Sequence, residues 1–388
     1  MRILLLSAYD ALSHRYWREG LVEQFPEYQW TVLALAPRYF NYRVRANPLS
    51  WFSEQYATLS APYDLIIATS FVDIATLRGL VPALATTPLW LYCHENQFAY
   101  PESAQQAEQK LQADNKQQSS HDLEAKMVFL YACLAADIIS FNSAWNRDSA
   151  FVGMAELLHR FPEKLDNSVL DSIKSKANII PVPLPPIQAL DKLASDSSHE
   201  IAIDRNKDSQ TLSLLWNHRW EYDKGPETLL TLVSELDKNN FNCEINIVGQ
   251  QFRQIPAAFN RIEQILRESS SLRCGAWGYI ESKQQYQQLL QHSNIVISTA
   301  LHDFQGIAVL EAVQAGCVPL LPNSLVYPEI FTEEYLFAVE RDTQRTANLI
   351  YTQLKQWQQS GLALSPDVSN FEWPQQRKSY QRTIESLK

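Results

Sequence analysis

The stretch WNHRWEYDKGPE, residues 216–227, shows the transition from strand to helix on which the fold of this chain depends. It follows an apolar run at residues 212–216 and leads into an amphipathic pattern at 226–238, with Pro226 suited to the first turn of a helix. Similar pairs of a short apolar run and a helical pattern recur in both halves of the chain. This alternation predicts parallel sheets whose buried strands are connected by helices.

Two series of such elements predict two Rossmann-like, doubly wound α/β domains, over residues 1–185 and 211–370. A linker at residues 186–210 separates them, and the Gln-rich segment 103–120 is predicted to be a mobile loop or an insertion. Two such domains facing one another place a ligand in a cleft between the carboxyl ends of their strands. The predicted strands are residues 3–6, 31–35, 65–68, 89–93, 138–141, 179–182, 212–216, 244–248, 272–277, 295–298 and 318–321, and the main predicted helices are 16–25, 123–136, 226–238 and 282–292.

The composition of the 388 residues is that of a well-packed globular protein, with 46% hydrophobic and 20% charged residues. The net charge of −10 argues against non-specific nucleic-acid binding as the main activity, although a local basic patch is compatible with it. The five cysteines contain no C-x-x-C pair, so neither a disulfide framework nor a zinc site is indicated. The apolar start is too short for a signal peptide and no apolar run approaches the ~20 residues of a membrane span, so we expect a cytoplasmic protein.

Arg219 and Lys224 lie in the predicted loop between the strand and the helix of the opening segment. Two cations beside the amino terminus of a helix suit a diphosphate, on which negative charge builds up when it departs from a sugar. The alternative is a solvated loop with incidental charges, since Glu221 and Asp223 accompany the two cations.

A second segment, STALHDFQGIAVLEAVQAG at residues 298–316, also joins a predicted strand to a helix. The backbone amides of Gly306 and Ile307 stand at the predicted start of that helix, where the helix dipole favours an anion. Asp303 and Glu311 lie eight residues apart, a spacing that can place one carboxylate near a sugar and the other near a ribose. The alternative is a capped helix in which Glu311 is a buried structural acid.

The D-x7-E spacing of Asp303 and Glu311 resembles the E-x7-E signature of retaining glycosyltransferases of the GT-B type. The resemblance implies a GT-B architecture in which the carboxy-terminal helix, residues 371–388, crosses back to the first domain. It also implies that the first acid contacts the donor sugar, that the second holds the nucleotide ribose, and that Tyr279 lies near the base. Asp303 is one methylene shorter than the usual Glu.

Other segments resemble a narrower family, the tRNA-queuosine mannosyltransferases, over nearly the whole chain. They include WLYCHENQFAYP at residues 90–101, HRWEYDKGPE at 218–227 and SLVYPEIF at 324–331. The resemblance implies that mannose is transferred from GDP-mannose, with retention of configuration, to queuosine at the wobble position of a tRNA of the tRNA-Asp type. It also implies that residues 1–185 bind the acceptor and that residues 211–370 bind the nucleotide sugar.

The same resemblance gives roles to single residues, with His94 binding hydroxyls of the donor sugar. The chain departs from the family at Ala11 and Leu12, where two glycines are expected, and both lie in the domain assigned to the acceptor. No D-x-D motif or metal-ligand spacing is present, so neither a metal ion nor a tightly bound cofactor is expected. The predicted catalytic residues are His94, Asp303, Arg219 and Lys224, and the predicted donor contacts are Arg219, Lys224, Tyr279, Gly306, Ile307 and Glu311.

The stretch RYFNYRVR, residues 38–45, interleaves three arginines with aromatic rings and contains no acid. This composition suits single-stranded RNA, because bases stack on rings and phosphates pair with guanidinium groups. The alternative is a partly buried loop, and the nearby Trp51, Phe52 and Tyr56 are predicted to form a core helical face. The predicted tRNA contacts are Ser13, His14, Arg38, Tyr39, Tyr42, Arg43, Arg45, Glu95 and Asn96.

Three alternative functions follow from the same residues. The nearest is a GT-B glycosyltransferase with a lipid or glycan acceptor, for which residues 16–25 form a weak candidate docking helix. The others are a nucleotide-sugar enzyme that is not a transferase, such as an epimerase, and a catalytically silent tRNA- or nucleotide-binding module. The intact set of Arg219, Lys224 and Glu311 favours an enzyme, and neither a membrane nor an obligate protein partner is expected.

Overall fold

A computed structural model describes residues 1–99, 116–166, 168–186 and 211–388 of the chain. They form two compact units, one of Met1–Pro183 with Trp373–Lys388 and one of Leu184–Glu372. Each unit contains a parallel sheet of six strands within the described residues, which confirms the predicted pair of Rossmann-like α/β domains. No helix in these ranges is both long enough and apolar enough to cross a membrane.

The sheet of the first unit has the strand order β2-β1-β3-β4-β5-β6. Its central strands β3 and β4, LIIAT and LWLYC, are buried along their whole length because every side chain meets a covered face. The strands are β1 (Arg2–Ser7), β2 (Gln29–Ala34), β3 (Leu65–Thr69), β4 (Leu89–Cys93), β5 (Ile138–Phe141) and β6 (Ala177–Ile179), and the helices are α1 (Leu12–Gln24), α2 (Phe40–Leu59), α3 (Ile74–Leu80), α4 (Lys116–Ala135), α5 (Ala144–His159) and α6 (Ser168–Lys174).

The sheet of the second unit has the strand order β12-β11-β10-β7-β8-β9. Its first and fourth strands along the chain, β7 and β10, are parallel neighbours, so the loops that follow them meet at one edge. The strands are β7 (Leu212–Asn217), β8 (Cys243–Val248), β9 (Leu272–Gly278), β10 (Ile295–Ile297), β11 (Val318–Pro322) and β12 (Leu336–Phe337), and the helices are α7 (Pro226–Lys238), α8 (Ala258–Glu268), α9 (Lys283–His292), α10 (Ile307–Gln314), α11 (Tyr327–Ile330) and α12 (Thr343–Ser360).

The last helix, α13 (Trp373–Ser386), belongs to the first unit. Its Tyr380 hydroxyl accepts a hydrogen bond from Trp17 Nε1 at 2.9 Å and donates to the Pro181 carbonyl at 2.9 Å. Gly20 of α1 leaves room for the Trp373 ring, since a Cβ at that position would lie 3.0 Å from it. Buried aromatic contacts therefore hold the end of the chain against its beginning.

Ten of the eleven predicted strands agree with the structure to within two residues at each end. The exception is the sixth, which was predicted to end at residue 182 and ends at Ile179. The two-residue strand β12 was not predicted, because so short a segment carries no periodicity. Residues 116–120 of the Gln-rich segment belong to α4, which corrects that part of the loop prediction. The rest of that segment and residues 187–210 of the linker lie outside the described residues.

Residues 40–45 belong to α2 and not to a loop. The helix continues through Pro48. A proline has no N–H and leaves the carbonyl four residues earlier without its helical donor. The buried Asn47 replaces that donor, since its Nδ2 donates to the Val44 carbonyl at 2.9 Å and also to the Phe71 carbonyl at 3.1 Å. This side chain allows the helix to continue through the proline.

Candidate active site

The loop after β7 places the predicted diphosphate-binding residues at the carboxyl edge of the second sheet. A short 3-10 turn, Tyr222–Lys224, leads to Gly225, which has φ = 66°. A Cβ on Gly225 would lie 1.9 Å from the Thr299 carbonyl oxygen, so only glycine fits there. The glycine lets the chain turn into α7 in close contact with the loop that follows β10.

Hydrogen bonds join the loops that follow β7 and β10. The amides of Leu301 and His302 donate to the Asp223 carbonyl at 2.8 and 3.1 Å. Thr299 Oγ1 donates to the Lys224 carbonyl at 2.9 Å, and Lys224 Nζ donates to the His302 carbonyl at 2.6 Å. The two segments that the sequence analysis singled out therefore form one site.

Lys224 is the buried cation of this site. Its Nζ lies 3.4 Å from an Asp223 carboxylate oxygen and 3.7 Å from an Asp303 carboxylate oxygen. Burial disfavours the charged form of Asp303, but Lys224, His218 and the hydrogen bond from the Gly306 amide outweigh it and hold the pKa of Asp303 below its usual value. Asp303 is therefore ionised beside Lys224 at neutral pH.

Arg219, the second predicted cation, lies at the surface of the same loop, with a side chain that is 44% exposed. Its guanidinium lies 2.6 Å from a Glu221 oxygen and 3.6 Å from an Asp223 oxygen. Glu221 and Asp223, the acids that accompany the two cations in the sequence, therefore form ion pairs with them. These pairs hold both positive charges at the edge of the sheet before any anion binds.

Asp303 hydrogen-bonds to the residue that precedes α10 and to a tyrosine. Its Oδ1 accepts a hydrogen bond from the Gly306 amide at 3.0 Å, and its Oδ2 accepts one from Tyr327 Oη at 3.1 Å. The expectation that the Gly306 amide points at a phosphate is therefore wrong for this structure, because the amide already donates to Asp303. Ile307 is the first residue of the helix, and its role as a donor contact stays a prediction.

Glu311 of α10 stands at the end of a hydrogen-bond chain. Asn217 Nδ2 donates to Tyr286 Oη at 3.1 Å, and Tyr286 Oη donates to Glu311 Oε2 at 3.3 Å. Burial raises the pKa of Glu311 to about 7, against the smaller opposing effects of the Tyr286 hydrogen bond and of Lys283. The Glu311 carboxyl therefore changes its charge near neutral pH.

Three residues of this site were missed by the sequence analysis. His218 is buried, and burial together with Lys224 lowers its pKa to about 4, so its ring is neutral at neutral pH. Tyr286 and Tyr327 hydrogen-bond the two acids of the D-x7-E pair. His218 could have been noticed as the neighbour of Arg219, whereas the two tyrosines come from distant elements and carry no local signal.

Tyr279 follows β9 at the same edge of the sheet, and its side chain is exposed. Gly278 before it has φ = 89°, a conformation that turns the chain away from the strand. The assignment of Tyr279 to the nucleotide base stays a prediction.

In the first unit, His94 follows β4 and is enclosed by aromatic rings. Its ring centre lies 4.2 Å from that of His14, 4.7 Å from that of Tyr92 and 4.8 Å from that of Trp17. Burial, together with His14, lowers the pKa of His94 well below its usual value, so the ring is neutral. Both ring nitrogens are buried without a hydrogen-bond partner in the described part of the chain, so the ring can serve hydroxyl groups of a ligand.

His14 and Glu95, two predicted acceptor contacts, pair with each other. His14 Nε2 lies 3.3 Å from Glu95 Oε1, with the histidine buried and the carboxylate partly exposed. Ser13 precedes His14 in the first turn of α1 and is exposed. The structure thus brings His14 and Glu95 into one cluster with His94.

Asn96, by contrast, is fully buried, and its side chain hydrogen-bonds to other groups of the protein. Its Nδ2 donates to the Asn146 carbonyl at 3.0 Å and lies 3.0 Å from Ser149 Oγ. Its Oδ1 accepts from the amides of Phe98 and Ala99 at 2.9 and 3.1 Å. The prediction that Asn96 contacts the acceptor is corrected to a role in shaping the loop after β4, because its hydrogen-bonding groups are already occupied.

The arginine and tyrosine side chains around the start of α2 are at the surface. Tyr39 adopts a left-handed conformation with φ = 55°, and both it and Tyr42 are exposed. The Arg38 guanidinium lies 5.9 Å from the centre of the Tyr39 ring, and Arg43 is half-exposed. Two rings and two cations therefore face outward together, as the RNA interpretation requires.

Arg45 is the one of these three arginines that forms an ion pair with an acid among the described residues. Its guanidinium forms an ion pair with the buried Asp73 carboxylate and lies 3.2 Å from Thr76 Oγ1. Part of its charge is therefore neutralised within the domain, which makes Arg45 the weaker candidate for a phosphate contact.

Two family models match the chain in succession. The model described as tRNA-queuosine alpha-mannosyltransferase N-terminal matches residues 2–184, and the model described as glycosyl transferases group 1 matches residues 198–360. A curated relative, the tRNA-queuosine alpha-mannosyltransferase of Drosophila melanogaster, is 28% identical over 339 residues, which cover 86% of this chain and 83% of the relative.

Solved structures with a similar fold include HepE from Anabaena in complex with UDP and glucose, with a TM-score of 0.62, 14% identity and 100% coverage of both chains. An OtsA apo structure gives a TM-score of 0.64 at 13% identity, covering 100% of this chain and 99% of the other. A sucrose-phosphate synthase from Thermosynechococcus elongatus gives 0.59 at 15% identity, with the same coverage. At these identities the similarity establishes the GT-B fold alone.

Proposed function

Because the chain belongs to the tRNA-queuosine alpha-mannosyltransferase family, we propose that it transfers mannose from GDP-mannose to queuosine at the wobble position of tRNA. The product is α-linked, the configuration of the mannose is retained, the acceptor is a tRNA of the tRNA-Asp type, and no metal ion is required. The observation that carries the donor half of this proposal is the buried Lys224 ammonium beside the Asp303 carboxylate, with Arg219 at the surface of the same loop.

Lys224 and Arg219 supply the positive charge that a diphosphate leaving group needs. Arg219 is bound to Glu221, so a diphosphate that reaches it replaces the carboxylate as its partner. Lys224 can keep its hydrogen bond to the His302 carbonyl, because an ammonium has three donors. Side-chain cations thus balance the charge that develops on the departing GDP.

Asp303 contacts the mannose, and Glu311 accepts hydrogen bonds from the ribose. Each Asp303 oxygen already accepts one hydrogen bond, and a carboxylate oxygen can accept a second from a sugar hydroxyl. In the first unit, the ring nitrogens of His94, which have no hydrogen-bond partner among the described residues, form hydrogen bonds with hydroxyls of the donor sugar. The queuosine hydroxyl attacks on the face of the leaving group, and a phosphate oxygen of the departing GDP accepts its proton.

The tRNA contacts the first unit. Ser13, His14 and Glu95 face the acceptor from the cluster around His94, where the Glu95 carboxylate is partly exposed. The surface side chains Arg38, Tyr39, Tyr42 and Arg43 contact the anticodon loop by stacking and by phosphate pairing.

Radiolabelled GDP-mannose incubated with the protein and two tRNA pools tests the proposal. One pool contains queuosine and the other comes from cells that cannot make it. We expect label only in the queuosine-containing pool, with chelator present throughout to test the metal requirement. Label in neither pool, with GDP binding intact, would contradict the acceptor assignment, and label that appears only after a divalent cation is added would contradict the metal-independent reaction.

The same assay tests the diphosphate site with Lys224→Ala and Arg219→Ala. Each should reduce turnover by roughly a hundredfold or more, because one charge that stabilises the leaving group is lost. Lys238→Ala is the matched control, since that lysine is exposed on α7 and, among the described residues, forms an ion pair with Glu235 alone, at 3.7 Å. Near-normal turnover in both site variants would show that the leaving group binds elsewhere.

A further inference from the structure

One side of α2 carries a row of exposed side chains that the proposed function leaves largely unused. We call this row the α2 row, and its members are spaced three or four residues apart, which places them on one side of the helix. At ~1.5 Å per residue, it extends for about 21 Å. The members are Tyr42, Arg45, Leu49, Phe52 and Tyr56, with exposed fractions of 78%, 57%, 65%, 37% and 47%.

Another face of α2 holds the helix against the unit. Val44, Asn47 and Trp51 are buried there, so the packing of the helix does not require the α2 row. Phe52 and Tyr56 were predicted to be core, and that prediction is wrong for both. Their rings contact each other at the surface, with centres 5.1 Å apart, although the helix bends between them.

The charge around the α2 row is opposite to that of the whole protein. Residues 38–59 contain three arginines and a single acid, Glu54, whereas the full chain carries a net charge of −10. Asp73 pairs with Arg45, so the positive charge of this surface comes from Arg38 and Arg43. No carboxylate of the described residues lies within 4 Å of Arg38 or Arg43. A basic surface on an acidic protein suits a polyanion, because the rest of the molecule repels it and leaves this region as the point of approach.

The α2 row also begins beside the candidate acceptor cluster of the same unit. The strand before it, β2, ends at Ala34 and α2 begins at Phe40, at the carboxyl edge of the parallel sheet. His94 follows β4 at that edge. The row therefore starts at the edge proposed to hold queuosine and leads away from it along the helix.

We propose that the α2 row is a stacking surface for RNA, which extends the tRNA contact from Tyr42 to Leu49, Phe52 and Tyr56. The inference rests on the proposed function for the identity of the acceptor. Exposed rings close to arginine side chains form the kind of surface on which unpaired bases stack, and each stacked base strengthens binding. A protein partner is also bound by aromatic residues, but the basic charge around the row favours the polyanion.

Binding of fluorescently labelled tRNA to the full chain tests the α2 row, with Phe52→Ala and Tyr56→Ala as the main variants. Each should weaken tRNA binding by about fivefold to a hundredfold, as the loss of one stacked base requires. The slope of affinity against salt should stay unchanged, since no charge is removed. Phe52→Tyr keeps an aromatic ring and should bind tRNA as the wild type does. Tyr131→Ala, which removes an exposed tyrosine from α4, should not alter tRNA binding either.

Three further readouts separate the possible outcomes. The affinity for GDP should be the same in all variants, which shows that the second unit is intact. Unchanged tRNA affinity in both Phe52→Ala and Tyr56→Ala would overturn the inference, and a dimer in the wild type that these changes convert to a monomer would identify a protein interface instead. If the wild type binds tRNA through the α2 row but transfers no mannose, the proposed function fails and the inference stands.

Discussion

Glu311 and Asp303, the two acids of the D-x7-E pair, show how the surroundings of single residues set their charge. Burial raises the pKa of Glu311 to about 7, whereas Lys224 and the other donors around Asp303 hold the pKa of that acid below its usual value. Asp303 is therefore ionised over the whole range in which Glu311 titrates. A change of pH near 7 therefore alters the charge of Glu311, the proposed ribose contact, and leaves the charge of Asp303, the proposed sugar contact, unchanged.

We predict that the affinity for GDP falls as the pH is lowered through about 7. Protonation of Glu311 removes the carboxylate that accepts hydrogen bonds from the ribose. The Tyr286 hydrogen bond lowers the pKa of Glu311, so its loss in Tyr286→Phe should move the fall in GDP affinity to higher pH. The variant should also have a larger KM for the donor and little change in kcat. Isothermal titration with GDP at several pH values measures the effect, with Tyr351→Phe of α12 as the control.

Glu311→Gln should remove this pH dependence, because an amide does not titrate. A pH profile identical in Tyr286→Phe and the wild type would show that the tyrosine does not set the protonation state of the Glu311 carboxyl.

The raised pKa of Glu311 also affects the stability of the protein. The contribution of Glu311 to the free energy of unfolding is fully present below pH 4.5, the ordinary pKa of a glutamate, and is lost as the pH rises through about 7.

At the scale of elements, the loop after β4 depends on a single polar side chain. The buried Asn96 links the loop to Asn146 and Ser149 of α5 and also holds the amides of Phe98 and Ala99. The loop follows directly after His94, so the backbone beside that ring is held by a side chain whose hydrogen-bonding groups are occupied within the protein. This arrangement explains why a polar residue beside a catalytic candidate can be structural.

Asn96→Ala should lower the free energy of unfolding by about 1–3 kcal/mol, because buried amides and carbonyls lose their partner. Urea unfolding followed by circular dichroism measures the change, with Asn348→Ala on the exposed side of α12 as the control. The opposite result, with stability unchanged and tRNA affinity reduced, would restore Asn96 to the acceptor contacts.

At the scale of the whole molecule, the end of the chain stabilises the first unit. Trp373 is buried against Gly20, and the Tyr380 hydroxyl joins Trp17 to the Pro181 carbonyl. The core of the first unit is therefore complete only when residues 373–380 are in place. The second unit, Leu184–Glu372, is continuous in sequence and has no such requirement.

Trp373→Ala should destabilise the first unit by about 3–5 kcal/mol, the usual cost of removing a buried tryptophan. Hydrogen exchange should accelerate for the amides of β4 and remain unchanged for those of β8. The control is Leu364→Ala, which removes a side chain that is exposed in the second unit. Equal acceleration in both sheets would mean that the two units unfold together.

The sequence by itself determined the α/β class, nearly all the strands and the segments that carry the candidate donor site. These features are local, since the periodicity of apolar residues and the placement of Pro226 and Gly306 act over a few neighbouring residues. The resemblance of CHENQ and HRWEYDKGPE to known enzymes also required no structure.

Only the tertiary structure decided which of these residues meet. Lys224 lies near Asp303 because β7 and β10 are neighbours in the sheet, and strand order leaves no trace in local periodicity. The same holds for Tyr286, which reaches Glu311 from another helix. Whether an aromatic ring such as that of Phe52 is core or surface depends on what the fold places against it, and that is a property of the packed unit.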